Sequence, residues 1–415
     1  MTSTNWAGNL DYSTATLHEP SSIDSLREIV AGAPRLRALG SRHSFNRIAD
    51  TVGAQVSLAG IPVDLAIDPS ARTVTVGAGA RYGEFVEELD AAGFALHNLA
   101  SLPHISVAGA IATGTHGSGD ANGSLASAVA ALAIVTADGA LLRLRRGDPD
   151  FAGTVVSLGS LGIVARVTLD IYPSFSIRQD VVENLSWDAL AGNLDAITAS
   201  AYSVSAFTHW GDNGATQVWL KRGSDDASPA GDFFGARPAE LQRHPLPGVP
   251  AGNTTTQLGV PGPWWDRLPH FKLGFTPSNG EELQSEYLVP RRHGVEAIEA
   301  VRALAPLIRP HLFVSELRTI AADDLWLSPS SGEDCLGIHF TWRRHIPEVE
   351  ALLPVIDQAL SPFSARPHWG KLFDTDPARF GDLYPRLPQF RTLADRLDPD
   401  GKFRNDFVDR WVFGA

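Results

Sequence analysis

Gly40-Ser41-Arg42-His43-Ser44-Phe45-Asn46, running out of the apolar stretch Leu36 to Leu39, is the segment on which the fold reading turns. Leu36 to Leu39 reads as a strand, and the glycine and two serines after it let backbone N–H groups turn inward beside an arginine. Such a turn suits a diphosphate. A second glycine-rich turn, Gly114-Thr115-His116-Gly117-Ser118-Gly119, follows the small-residue stretch Val107 to Thr113. A third, Ser157-Leu158-Gly159-Ser160-Leu161-Gly162, leads into a β-branched run from Gly162 to Ile171. None is GxGxxG, and none ends in Gly-Lys-Ser/Thr. Spacing alone leaves two readings open, a cofactor cradle and a set of ordinary tight turns.

Working outward, Ser22 is placed to cap a helix from Asp24 to Val30, with Leu26, Ile29 and Val30 on one face. Gln55 to Leu58 and Thr73 to Val76 read as strands, Gly77-Ala78-Gly79 breaks the pattern, and Tyr82 to Leu89 has helical spacing. Ala130 to Thr136 and Leu141 to Leu144 flank Asp138-Gly139, a hairpin signal. The pattern predicts an α+β region with more strands than helices. A second region begins near Ile177, with strands expected at 202–210, 216–221, 312–320 and 336–342 and helices at 294–308 and 347–360. Between them, residues 222–264 are rich in Pro, Gly, Ser and Asp and read as a long surface excursion.

The chain has 415 residues, more than one hydrophobic core usually serves, so two domains are expected. Hydrophobic residues at 44% and charged residues at 20% fit a globular enzyme. A net charge of −13 disfavours nucleic acid and anionic membrane surfaces, and favours a neutral substrate over a phosphorylated one. The single cysteine, Cys335, excludes an internal disulfide and a cysteine-rich metal site. Met1 to Gly8 has neither a basic nor an apolar leader region, and no run approaches the ~20 apolar residues of a bilayer span, so a cytoplasmic location is expected. The 13 histidines form no HExxH or H-x-H cluster, which argues against zinc, and no GxSxG elbow is present. The ten tryptophans read as core or contact residues rather than sugar platforms.

The second region carries a distinct signal. Glu316 and Arg318 lie two apart in Phe313-Val314-Ser315-Glu316-Leu317-Arg318-Thr319-Ile320, so on a strand they share a face. His339 and Thr341 do the same in Ile338-His339-Phe340-Thr341-Trp342, and Lys371 follows in Pro367-His368-Trp369-Gly370-Lys371. Together they offer donors and acceptors able to bind several hydroxyls. A solvated sheet face carrying a Glu–Arg ion pair accounts for the same residues.

The motif Gly40 to Asn46, the string Ser101-Leu102-Pro103-His104-Ile105-Ser106-Val107-Ala108-Gly109 and the loop Gly114 to Gly119 together resemble the FAD domain of the vanillyl-alcohol oxidase superfamily. Within it the chain is similar to the aldonolactone oxidase branch, most closely to the alditol (xylitol) oxidases. The likeness continues through Trp219-Leu220-Lys221-Arg222, Val260 to Trp264, Ser285-Glu286-Tyr287-Leu288, Glu316 to Thr319, His368 to Lys371 and Asp398 to Asn405. The resemblance implies an FAD domain from 1–174 completed by 372–415, with a substrate domain at 175–371 holding an antiparallel sheet. It implies covalent FAD through His43. The cofactor site carried over comprises Gly40, Ser41, Arg42, His43, Ser44, Phe45, Ser101, Ser106, Gly109, Thr113, Thr115, His116, Gly117, Ser118, Gly159, Gly162, Ile163 and Lys371. Some relatives have glycine where Arg42 stands.

The polyol pocket implied by the likeness comprises Ser101, Glu316, Arg318, His339, Thr341 and Lys371. Arg318 and Lys371 would steady alkoxide character at a terminal alcohol, Glu316 would orient the carbon, and the others would read further hydroxyls. The expected reaction passes a hydride to the flavin and then electrons to O2, giving an aldose and hydrogen peroxide. Ala100, beside Ser101, is small enough to leave O2 a path. The family also implies a monomer. Two alternatives are an aldonolactone oxidase or dehydrogenase on the same flavin domain, and a non-catalytic carbohydrate-binding protein.

Overall fold

The computed structural model describes residues 4–14, 16–226, 232–275 and 282–414. Four sheets organise these residues, the smallest a two-stranded pairing of Phe94–Ala95 with Tyr172–Pro173. A small parallel sheet has the order Leu17–His18, Ala54–Val56, Leu36–Ala38. A five-stranded antiparallel sheet follows the order Ala66–Asp68, Thr73–Gly77, Ile163–Asp170, Val129–Val135, Leu141–Arg145. The large antiparallel sheet runs Arg237–Pro238, Ser176–Leu185, Ala215–Gly223, Ser203–Thr208, Leu312–Ile320, Cys335–Arg343, Glu282–Pro290, Arg366–Pro367, and Gly262–Pro263 pairs at its edge with the 176–185 strand. The α+β class follows from these sheets and the helices beside them. Among the described residues no helix is long and apolar enough to cross a membrane.

Local signals account for many elements. Ser22 caps the helix Ile23–Gly32 by accepting from the Ser25 N–H, and Leu26 and Val30 are buried. Asp138-Gly139 closes the hairpin between Val129–Val135 and Leu141–Arg145, with Gly139 at φ +81 as a tight turn requires. The large sheet shows the two-residue period of a strand. Leu317, Ile338, Phe340 and Trp342 enter the core that carries Ile298 and Val301 of the helix Gly294–Ala303 and Leu352 and Ile356 of the helix Ile346–Leu360. Glu316, Arg318, His339 and Thr341 point to the opposite face, into a cavity.

Several expectations are corrected. The helix expected from Tyr82 to Leu89 is split into a short 3-10 turn, Tyr82–Glu84, and a helix, Val86–Ala91, because Phe85 leaves helical geometry at φ −135. The helix expected at 294–308 is two pieces, Gly294–Ala303 and Ala305–Ile308. Pro306 has no N–H to continue the ladder across the break. Two long strands, Ser176–Leu185 and Glu282–Pro290, were not anticipated. Residues 227–231 of the expected surface excursion, and Met1 to Ser3 of the segment read for a leader, lie outside the described residues. The rest of the excursion is not all surface: Thr254, Thr255 and Gln257 are buried, and His244, Leu246 and Val249 line the cavity.

The two ends of the chain are locked together by Arg37. Its buried guanidinium donates to the carbonyls of Phe403 at 2.5 Å, Leu158 at 2.8 Å and Gly159 at 3.2 Å, and to that of Ile48. Burial pushes Arg37 down to about 10, so the cation persists at neutral pH, held by carbonyl dipoles. Asn405 adds bonds to the carbonyls of Arg47, Ile48 and Asp50. Arg37→Met strands these carbonyls away from water and is expected to cost ~3–5 kcal/mol of stability. A denaturant midpoint equal to the native value would show that the clamp is dispensable.

Candidate active site

The cavity has a volume of about 570 Å³ and is lined by all three glycine-rich turns and by the polar face of the large sheet. Its first wall is the loop of residues 40–46. Gly40 packs against the helix Val107–Ala112 so closely that a Cβ on Gly40 would lie 2.6 Å from the Ser106 hydroxyl, and one on Gly109 would lie 2.7 Å from it. Arg42 adopts φ +64, a left-handed conformation that favours glycine. Its carbonyl accepts from the Trp6 N–H at 2.8 Å, and the Trp6 ring stacks on the His43 imidazole with centroids 5.2 Å apart. Burial pushes His43 down to about 4, so the imidazole is neutral near pH 7, and its buried Nδ1 has no hydrogen-bond partner.

This loop is stitched to the segment holding Lys371. The Phe45 N–H donates to the Gly370 carbonyl at 2.8 Å, and the Asn46 carboxamide donates to the carbonyls of Trp369 and Lys371 at 2.8 and 2.7 Å. The 368–371 segment is itself tied to the sheet through the His368 N–H and the Glu286 carbonyl, 2.9 Å apart. His43 and Lys371, 328 positions apart by subtraction of their numbers, therefore face one cavity.

The second wall is the sheet. Glu316 and Glu286 are the two register partners of His339, one on each side. Glu316 accepts from His270 Nε2 at 2.9 Å and lies 3.6 Å from the Arg318 guanidinium. Arg318 also donates to Glu286 Oε1 at 2.7 Å and 3.2 Å, and reaches the Ser101 hydroxyl at 3.5 Å. Lys371 Nζ contacts the Gln284 carboxamide oxygen and lies 3.1 Å from His339 Nε2. Burial would raise both glutamates, but the Arg318 guanidinium outweighs it and keeps them below the usual carboxylate range. Burial pushes His339 down to about 3 and His116 to about 4, so both rings are neutral, and it brings Lys371 down to about 8. His116, Glu286 and His368 each bring a donor atom within 4.8 Å of the others. The Arg318 guanidinium donates to one of the two oxygens of that carboxylate, Oε1.

Known proteins resemble this arrangement along the whole chain. Alditol oxidase of a Streptomyces species is 48% identical over 411 residues, covering 98% of this chain and 97% of that protein. The chain belongs to the alditol oxidase family, in the aldonolactone oxidase branch of the vanillyl-alcohol oxidase flavoproteins. The FAD binding domain family matches residues 15–145, and the D-arabinono-1,4-lactone oxidase family matches residues 278–411. L-gulono-1,4-lactone dehydrogenase of Mycobacterium tuberculosis is 29% identical over 98% of both chains. The crystal structure of cholesterol oxidase from B. sterolicum superposes with a TM-score of 0.78 at 17% identity, covering 99% of this chain and 96% of that one. A solvent-stable cholesterol oxidase gives 0.80 at 16% identity, with 99% and 97% coverage. These two likenesses establish the fold.

The family's cofactor fits the cavity's residues. Gly40 lets the 40–46 loop lie against the Ser106 end of the helix Val107–Ala112, and the buried atoms His43 Nδ1 and Ser106 Oγ have no hydrogen-bond partner among the described residues. Of the cofactor residues expected from sequence, fifteen line the cavity, namely Gly40 to Phe45, Ser101, Ser106, Gly109, Thr113, Thr115, His116, Gly159, Gly162 and Lys371. Gly117, Ser118 and Ile163 stand behind it. Gly117 packs on Asn98, the Ser118 hydroxyl bonds that of Ser203 at 2.5 Å, and Ile163 pairs with Val135 in the five-stranded sheet. All six expected polyol residues line the cavity.

Sequence reading missed Gln284, Glu286 and His270. The first two alternate with Leu283, Ser285 and Tyr287 in a period-two pattern that was available. His270, just beyond the Pro-rich segment, carried no local signal. A side chain at Gly109 would enter the cavity, so Gly109→Leu is expected to be purified folded but with most of its flavin missing. Native flavin-to-protein absorbance in that variant would remove the 107–112 helix from the cofactor site.

Proposed function

We propose that the protein oxidises the terminal primary alcohol of an alditol such as xylitol or sorbitol to the aldose, with O2 as acceptor and FAD held covalently through His43. The observation that carries this reading is the cluster of Glu316, Arg318, His339, Thr341 and Lys371, two signs of charge and several neutral polar groups, opening onto the same cavity as the cofactor loops. A polyol presents several neutral hydroxyls that each donate and accept, and that wall answers both roles. The domain division supporting it is 1–174 with 372–415 for the cofactor and 175–371 for the substrate. The reading takes the protein as a cytoplasmic monomer, in keeping with its lone buried thiol, Cys335.

FAD, when bound, supplies the acceptor for a hydride from the alcohol carbon and returns the two electrons to O2 as hydrogen peroxide. The chain's residues do the rest. Arg318 and Lys371 are fixed positive groups in a buried site, so they stabilise negative charge that develops on the alcohol oxygen as its proton leaves. Glu316, kept ionised by Arg318 and oriented by His270, accepts from the neighbouring hydroxyl and turns the reacting carbon. Ser101, His339 and Thr341 read hydroxyls farther along. Leu246, Val249, Phe271 and Phe275 line the cavity with apolar surface, which excludes water and strengthens those charges.

The matching of residues 278–411 to the D-arabinono-1,4-lactone oxidase family favours a second reading, oxidation of an aldonolactone on the same machinery. A substrate panel decides between them. Xylitol or sorbitol is expected to drive O2 consumption well above any aldonolactone, and the reverse order would transfer the assignment to lactones. The tether has its own test. Acid precipitation of the native protein is expected to leave flavin in the pellet, and of His43→Ala to leave a colourless pellet with flavin in the supernatant. A yellow pellet from His43→Ala would move the attachment elsewhere.

A further inference from the structure

Glu286 stands apart from the residues given a role in the reaction. It lies at the centre of the 282–290 strand, fully buried, and its carboxylate has the densest ionic surroundings in the cavity wall. Arg318 Nη2 is 2.7 Å away and Arg318 Nε 3.2 Å, both to Oε1. His116 Nε2 is 3.4 Å from the same oxygen, and Lys371 Nζ is 3.9 Å from Oε2. Arg318 belongs to the 312–320 strand, which does not pair with the 282–290 strand; the strand Cys335–Arg343 runs between them. The residue opposite Arg318 on that middle strand is Gly337, and a Cβ there would lie 3.5 Å from Glu286 Oε1. The absence of a side chain at that crossing leaves the path for the ion pair open.

We propose that Glu286 is a positioning residue whose permanently buried carboxylate aims the Arg318 guanidinium and the Lys371 ammonium at the reacting hydroxyl. This inference rests on the alditol reading above. Its physical basis is charge balance. Two cations in a water-poor cavity need two counter-charges. Glu316 is the other carboxylate beside Arg318, and in the proposed reaction it turns to a substrate hydroxyl. Glu286, fully buried in the cavity wall, remains bound to the guanidinium whatever Glu316 does. Lys371 is faced by Glu282 and Glu286 from one strand, Glu316 and Arg318 from another, His339 from a third, and His43, His116 and His368 from the loops. Among these, Glu286 does most to keep Lys371 protonated against burial and Arg318. The sign is definite. Lys371 loses its charge as pH rises through about 8, and removing the Glu286 charge moves that loss to lower pH.

Glu286→Gln keeps the shape and removes the charge. In the FAD-loaded variant, the limiting rate of flavin reduction by xylitol is expected to fall at least ~tenfold, with a basic limb displaced to lower pH and FAD content unchanged. A substrate-free reading accompanies it: the pH dependence of Lys371 acetylation by trace acetic anhydride, followed by peptide mass spectrometry. Its midpoint is expected near 8 in the native protein and at least ~1 pH unit lower in Glu286→Gln. Glu286→Asp keeps the charge but withdraws it by one methylene, so both readings should fall between the two. A native reduction rate and an unmoved acetylation midpoint in Glu286→Gln would overturn the proposal. Native values in Glu286→Asp would do so if Glu286→Gln does not fold. A native protein that xylitol fails to reduce would count against the alditol reading, while the acetylation midpoints would still decide the role of Glu286.

Discussion

The structure depends on burying two cations, Arg318 and Lys371, with two carboxylates, Glu286 and Glu316, at one face of the large sheet. Isolated, any one of these charges would be too costly to keep out of water. Together they satisfy one another across three adjacent strands, and the five neighbouring histidines, His43, His116, His270, His339 and His368, are all depressed by burial. The cavity wall is thus both polar and buried. In the proposed reaction that combination suits a ligand rich in hydroxyls and amplifies the effect of a fixed charge on a reacting oxygen.

Holding that wall against the cofactor loops requires contacts between distant parts of the chain. Asn46 bonds the backbone on both sides of Gly370, while Arg37 and Asn405 join residues 37–50 to the C-terminal segment. Backbone carbonyls, rather than side-chain ion pairs, accept most of these bonds. They keep the loop carrying His43 at a set distance from the strand-end loop carrying Lys371, and hydride transfer is sensitive to errors of an ångström in such distances. The same constraint explains why the Pro-rich segment turns inward. Just beyond that segment stands His270, whose backbone N–H donates to the Ser101 carbonyl and whose ring holds Glu316, so it couples the two walls.

Local chemistry made part of this legible. The Ser22 cap, the Asp138-Gly139 hairpin and the paired positions 316/318 and 339/341 each follow from periodicity or turn geometry over a few residues. The strands Ser176–Leu185 and Glu282–Pro290 were opaque for one reason. Arg178, Gln179, Asp180 and Glu183 put polar side chains on both faces of the first, and Glu282, Gln284 and Glu286 give the second a face that reads as solvent-exposed. In the structure Gln179 and Glu286 are fully buried. A polar side chain declares its need for partners; it does not declare whether water or protein supplies them.

The sequence by itself determined the family, the glycine-rich loops, and the residue types at the cavity, because these are written in short strings whose geometry is local. Tertiary structure alone decided that Arg318 reaches past Gly337 to Glu286, that His270 holds Glu316, and that the 240–275 segment lines the cavity. Those contacts join residues tens of positions apart in the chain. Their strength comes from exclusion of water by the assembled fold, a property that no single stretch of sequence possesses.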